Sequence, residues 1–224
     1  MSQLRIRFVT LLLTVIASLS CFAEIETQTA LTPEMLMQNA IKEGKLSDVL
    51  NLIEAGVDIN QPFSQGVTPL HTAVIHNQEN IVAVLLQAGA NPNALDITTQ
   101  ATPLHLASLY GRMGIAKLLL GQGANKNAVM KFGITPLLVA AQFNQPQIVQ
   151  LLIDQKINVN QADQEGFTAL HFAAQNGNAT ITRLLLGNGA DPKLRDKNKA
   201  TAFEIAAANH QGEVAQLLQQ RGGN

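Results

Sequence analysis

Thr68-Pro69-Leu70-His71 returns as Thr102-Pro103-Leu104-His105 and, more loosely, as Thr135-Pro136-Leu137-Leu138, Thr168-Ala169-Leu170-His171 and Thr201-Ala202-Phe203-Glu204. Successive tetrads begin 34, 33, 33 and 33 residues apart. A fixed period of this size marks a stacked array, in which each unit buries its apolar face only against its neighbours. Outward from each tetrad the same order recurs. Thr can cap a free N–H at a helix start, and Pro tolerates the first helical position. Leu70, Leu104, Leu137, Leu170 and Phe203 follow as plugs for the core, and Ala73, Ala107, Ala140, Ala173 and Ala206 let neighbouring helices come close. Asn77, Gly111, Asn144 and Gly177 then share a position suited to left-handed backbone, which ends the first helix.

A second helix carries apolar residues at helical spacing, for example Ile81 with Val84-Leu85-Leu86 and Ile181 with Leu184-Leu185-Leu186. It stops at Gly89, Gly123 and Gly189. Thr32-Pro33-Glu34 reads as the start of the first helix, so the spacing predicts an all-α chain of six helix pairs, from Pro33–Ala55 to Ala202–Arg221. The expected divisions are an N-terminal cap pair over 33–60, four full repeats over 61–193 and a C-terminal capping repeat over 194–224.

This pattern resembles the ankyrin repeat over residues 34–223. The resemblance implies a solenoid of L-shaped units, each a helix pair with a hairpin-like finger loop, whose partners meet the finger tips and the exposed side of the first helix. It also implies that His71, His105 and His171 hydrogen-bond between adjacent loops. The chain departs from the pattern in places. The loop 94–101 holds one extra residue, with Gln100 where Gly66, Gly133 and Gly166 stand elsewhere. Lys156 replaces a Gly at the end of a second helix, and Lys199 and Glu204 replace Gly and His in the last repeat.

The chain has 224 residues, 46% of them hydrophobic, enough for the core of one elongated domain. Only 14% are charged and the formal net charge is −1, which leaves no basic surface to hold nucleic acid. Arg5 and Arg7 precede an apolar run from Phe8 to Leu19 and the small or neutral Ser20-Cys21-Phe22-Ala23. Residues 1–23 therefore read as a secretory signal peptide, cut before Glu24, with 24–32 as a short linker. A membrane anchor would need about 20 apolar residues, and the run is shorter. A lipidated Cys21 is disfavoured by Ser18, where such signals want Leu. The processed chain would hold no cysteine, so no disulfide could form in an oxidising compartment, and no membrane contact is expected after cleavage.

No catalytic motif is present. There is no Gly-x-x-x-x-Gly-Lys-Ser/Thr, no Gly-x-Ser-x-Gly and no His-Glu-x-x-His. The acids Asp58, Asp163, Asp191 and Asp196 fall in loops, where they can close Asx turns. No cofactor, metal site or enzyme activity is expected. Applying the family's binding positions places Val67, Ile75, His76, Leu109, Tyr110, Ile134, Gln142, Phe143, Phe167 and Asn176 on a concave face, with Phe63 and Phe132 in the fingers. Rigid aromatics are the usual anchors of protein interfaces. The column Val67, Ile134 and Phe167 also admits the reading that it bridges one finger to the next. The sequence thus points to a non-catalytic, monomeric scaffold that binds another protein, in the periplasm or, as an effector, outside the cell.

Overall fold

The protein is described here by a computed structural model over residues 31–63 and 66–223. The expected signal peptide, most of the linker and the tip of the first finger lie outside the described residues. Twelve α-helices follow one another as six antiparallel pairs, and no strand longer than an isolated bridge occurs among the described residues. The pairs are α1 (Pro33–Glu43) with α2 (Leu46–Glu54), α3 (Pro69–Ile75) with α4 (Glu79–Gln87), and α5 (Pro103–Tyr110) with α6 (Met113–Gly121). They continue with α7 (Pro136–Gln142) and α8 (Pro146–Asp154), α9 (Ala169–Asn176) and α10 (Ala179–Gly187), and α11 (Ala202–Ala208) and α12 (Gly212–Gln220). First helices stack on first helices and second on second, so the core is one continuous apolar sheet of contacts running the length of the stack.

The tetrads act as expected. Each Thr is extended and each helix begins at the residue after it. His71, His105 and His171 are buried beneath the next finger. His105 shows the arrangement: its Nδ1 accepts from the Thr102 N–H at 3.2 Å, and its Nε2 reaches the Ile134 carbonyl at 3.1 Å. A carbonyl can only accept, so Nε2 carries the proton and the ring is neutral. His71 and His171 make the same tie to Ala101 and Ala200. Leu138 makes none, and that junction relies on apolar packing.

Asn77, Gly111, Asn144 and Gly177 are all left-handed, and so is Lys156, at φ 56°, as its place in the repeat required. At Gly111 the absence of a side chain has a second use. A Cβ there would lie 2.2 Å from Gln145 Oε1, so the next repeat's Gln sits directly on the turn and donates to the Leu109 carbonyl at 3.2 Å. The Gly177–Gln211 and Gly44–Gln78 pairs repeat this contact. Where the turn holds Asn77 or Asn144, the next repeat carries Arg112 or Asn178 in place of Gln.

An asparagine ladder, which the sequence reading did not anticipate, ties the loops after the second helices. Asn60 donates to the Gly89 carbonyl at 3.2 Å and accepts from the Asn91 N–H at 2.8 Å. Asn93 and Asn160 repeat both bonds one repeat further on, to Gly123 and Asn125 and to Gly189 and Asp191. Asn127 forms no such rung among the described residues; there Lys126 Nζ donates to the Gln155 carbonyl at 2.5 Å.

One expectation about the core is corrected. Phe203 is half-buried, because no repeat among the described residues covers the last first helix, whereas Leu70, Leu104, Leu137 and Leu170 are fully enclosed.

Candidate protein-binding surface

Five fingers project in a row: 61–67, 94–101, 128–134, 161–167 and 194–200. Each is closed at its base by one backbone bond, Phe63 to Val67, Asp96 to Ala101, Met130 to Ile134, Asp163 to Phe167 and Asp196 to Ala200. Neighbouring fingers are also stitched together, since Lys131 donates its N–H to the Thr99 carbonyl, Gln164 to Phe132 and Lys197 to Glu165, each at 2.9 Å. The second to fifth fingers are therefore joined into one connected edge.

These closures correct the expected binding column. Val67, Ile134 and Phe167 are buried, Ile134 entirely. Each residue turns inward as its carbonyl closes the finger, and Phe167 packs its ring 5.3 Å from Phe172 and 5.5 Å from His171. Their side chains offer nothing to a partner; they join finger to stack. Leu109 is corrected for another reason, since it lies buried in the core with Gln145 of the next repeat bonded to its carbonyl.

The remaining expected residues stay accessible to differing degrees. His76 is exposed, and Ile75, Tyr110, Gln142, Phe143 and Asn176 are half-buried along the first helices. Asn176 is engaged internally, donating to the Gln142 carbonyl at 2.7 Å. The Arg112 guanidinium lies 5.8 Å from the Tyr110 ring centre. Burial pushes the Tyr110 phenol above its ordinary value, with Arg112 opposing, and burial together with Lys42 holds His76 below the usual imidazole range. Gln142 Oε1 and Arg112 Nε are buried without a partner. In the fingers Phe63 is half-buried and Phe132 exposed.

Three exposed side chains stand outside the expected contact residues. Leu95, Ile97 and Val129 are all large, apolar and exposed, Ile97 to 73%, and with Phe132 at 53% they occupy the second and third fingers. The available signal was the lengthened loop 94–101, whose apolar Leu95 and Ile97 lie beside a turn instead of on a helix stripe. A buried Asp96 holds that loop open: it accepts from the Thr99 N–H at 2.6 Å, the Ala101 N–H at 3.0 Å and the Thr99 hydroxyl.

Several charged side chains along the row are engaged within the protein. Lys197 pairs with Glu165 at 3.4 Å, Arg195 with Glu204 at 3.3 Å, and the Lys131 ammonium donates to the Thr98 carbonyl at 2.6 Å. Among the described residues no three His, Cys, Asp or Glu side chains gather into a cluster able to hold a metal ion, and no helix is long and apolar enough to cross a membrane. What the surface presents is an apolar edge and a partly aromatic wall, the chemistry of protein contact.

Known proteins carry the same architecture. Rabankyrin-5 of Mus musculus is 43% identical over 63 residues and that of Homo sapiens 44% over 62, in each case 28% of this chain. The match spans only 5% of either curated relative, so it speaks for the repeat and not for those proteins' activities. Among solved structures, this chain is similar to the immunity protein complexed with a predatory endopeptidase from Bdellovibrio bacteriovorus. The TM-score is 0.75 at 29% identity, covering 83% of this chain and 97% of the other. The family model described as ankyrin repeats in three copies matches in overlapping windows, 7–96, 36–130, 104–196 and 137–224. With its helix pairs, tetrads and stitched fingers, the chain belongs to the ankyrin-repeat family and is built as a protein-binding scaffold.

Proposed function

We propose that this chain is a non-catalytic binding protein whose partner is a peptidase, held through the finger row and the adjoining wall of first helices. The observation that carries this reading is the similarity to the endopeptidase's immunity protein, which runs through nearly the whole of that chain instead of a single repeat. Ankyrin repeats are shared by binders of many kinds, so a short match would carry no such weight. The chain acts after export, in the periplasm or outside the cell, as a monomer. Arg5 and Arg7 ahead of the apolar run from Phe8 support export, and recovery of a chain beginning at Glu24 from periplasm or medium would test it.

An inhibitor of this class lowers peptidase turnover by occupying surface, and needs no chemistry of its own. Progress curves of the Bdellovibrio endopeptidase acting on its substrate, with residues 24–224 added, are expected to show a saturable fall in rate. An unchanged rate at large molar excess would remove the peptidase reading.

A further inference from the structure

Among the described residues beyond the N-terminal pair, the exposed large apolar side chains are Leu95, Ile97, Val129 and Phe132, confined to two adjacent fingers. Phe132 is the most telling of them. It adopts a left-handed backbone at φ 66°, a conformation costly for any bulky residue, and it leaves half its ring in water. The free protein gains nothing from an aromatic there, since Asn or Gly would take the same backbone with less strain. Its carbonyl accepts from Gln164 N–H, so the backbone position is structural while the side chain is spare.

Ile97 is displayed with similar firmness. The Asp96 bonds fix the turn, and Gly66 of the first finger lies so close that a Cβ there would meet Ile97 Cγ1 at 2.4 Å. The two fingers are joined by Lys131, through its N–H to Thr99 and its ammonium to Thr98. The result is a rigid convex apolar edge, whose ordering cost is met before any partner arrives.

Area and charge narrow the occupant. Four side chains exposed by half or more present on the order of 400 Å². Two copies pressed together through this edge would bury about 800 Å², short of the roughly 1,200 Å² of a stable interface. A second copy is therefore a poor fit, and a larger protein that also reaches the wall around Tyr110 and Phe143 is a better one. Within the second and third fingers the Asp96 carboxylate is buried and hydrogen-bonded and the Lys131 ammonium is bound to the Thr98 carbonyl, so the apolar tips call for no charged complement.

We propose that the tips of the second and third fingers are the anchor of the interface, seated in an uncharged apolar recess of the peptidase partner. The proposal rests on the peptidase reading above and adds where and by what chemistry contact is made. Phe132 and Ile97 are the side chains inserted, and Leu95 and Val129 shield them from water.

The test uses residues 24–224, the purified Bdellovibrio endopeptidase as probe, and the double variant Ile97→Asn, Phe132→Asn. Asn suits the left-handed backbone at Phe132, so the variant is expected to melt no lower than the parent while binding at least about tenfold more weakly. Binding by the parent is expected to change little as ionic strength rises, because no ion pair is made. Parent-like binding by the folded variant overturns the fingertip anchor and leaves the peptidase reading standing, especially if Tyr110→Ala, Phe143→Ala abolishes it. Affinity that collapses with salt overturns the uncharged recess. No binding by the parent removes the peptidase reading and the occupant named here with it.

Discussion

His105 closes three bonds at once while fully buried, and its chemistry makes the fold sensitive to acid. Burial pushes its imidazole down to about 4, against the 6.5 of an ordinary His, with the Ile134 carbonyl and Asp96 opposing. Unfolded, the ring takes a proton near pH 6.5; folded, it stays neutral until about pH 4. Between those values the unfolded chain holds more protons, so this residue's contribution is intact above pH 6.5 and is lost as pH falls toward 4. The loss is on the order of 3 kcal/mol for this His, and burial shifts His71 and His171 in the same direction. His105→Leu, which copies Leu138 in the next repeat, leaves the Thr102 N–H without its acceptor. It should cost about 1–2 kcal/mol at neutral pH in a urea titration, with the gap closing below pH 6.5 and changing sign before pH 4. A gap that widens with acid would contradict the neutral ring. The histidine column was legible in the sequence because three copies align at one position. The inward turn of Val67, Ile134 and Phe167 was not, since one repeat position marks a column without saying which side of the finger it faces.

At the level of the element, the fingers carry information that helical periodicity does not. A period of 33 residues and the Thr-Pro starts suffice for helix pairs, because capping and apolar spacing are local rules. Finger shape depends on contacts between repeats, such as the bonds from Lys131 N–H to Thr99 and from Gln164 N–H to Phe132, which no single repeat displays. The second finger is the clearest case. Its extra residue was visible in the spacing, but the buried Asp96 that organises it looks in sequence like any loop acid. Asp96→Ala should loosen this finger without unfolding the stack, because its bonds go to Thr99 and Ala101 within the same loop. Exchange of the Thr99 and Ala101 amides is expected to speed up by at least about tenfold, the worth of roughly 1.4 kcal/mol of lost hydrogen bonding. Unchanged exchange there, with loss of protection across α3 and α5 instead, would show that Asp96 supports the core and not the finger.

Across the whole molecule, the six pairs form one stack whose two long sides differ in kind. The second helices are tied by asparagines in the loops that follow them, whereas the finger row and first helices bring the apolar tips and the half-buried Tyr110 and Phe143 to one side. A solenoid of this design binds by presenting a side, and its function lies in which residues that side exposes. The most direct measurement is amide hydrogen exchange across residues 24–224, alone and with the Bdellovibrio endopeptidase. Added protection is expected in the fingers 94–101 and 128–134, extending to the ends of α5 and α7 near Tyr110 and Phe143, with α4, α6 and α8 unchanged. Protection confined to those second helices, or none at saturating enzyme, would contradict binding through the finger row.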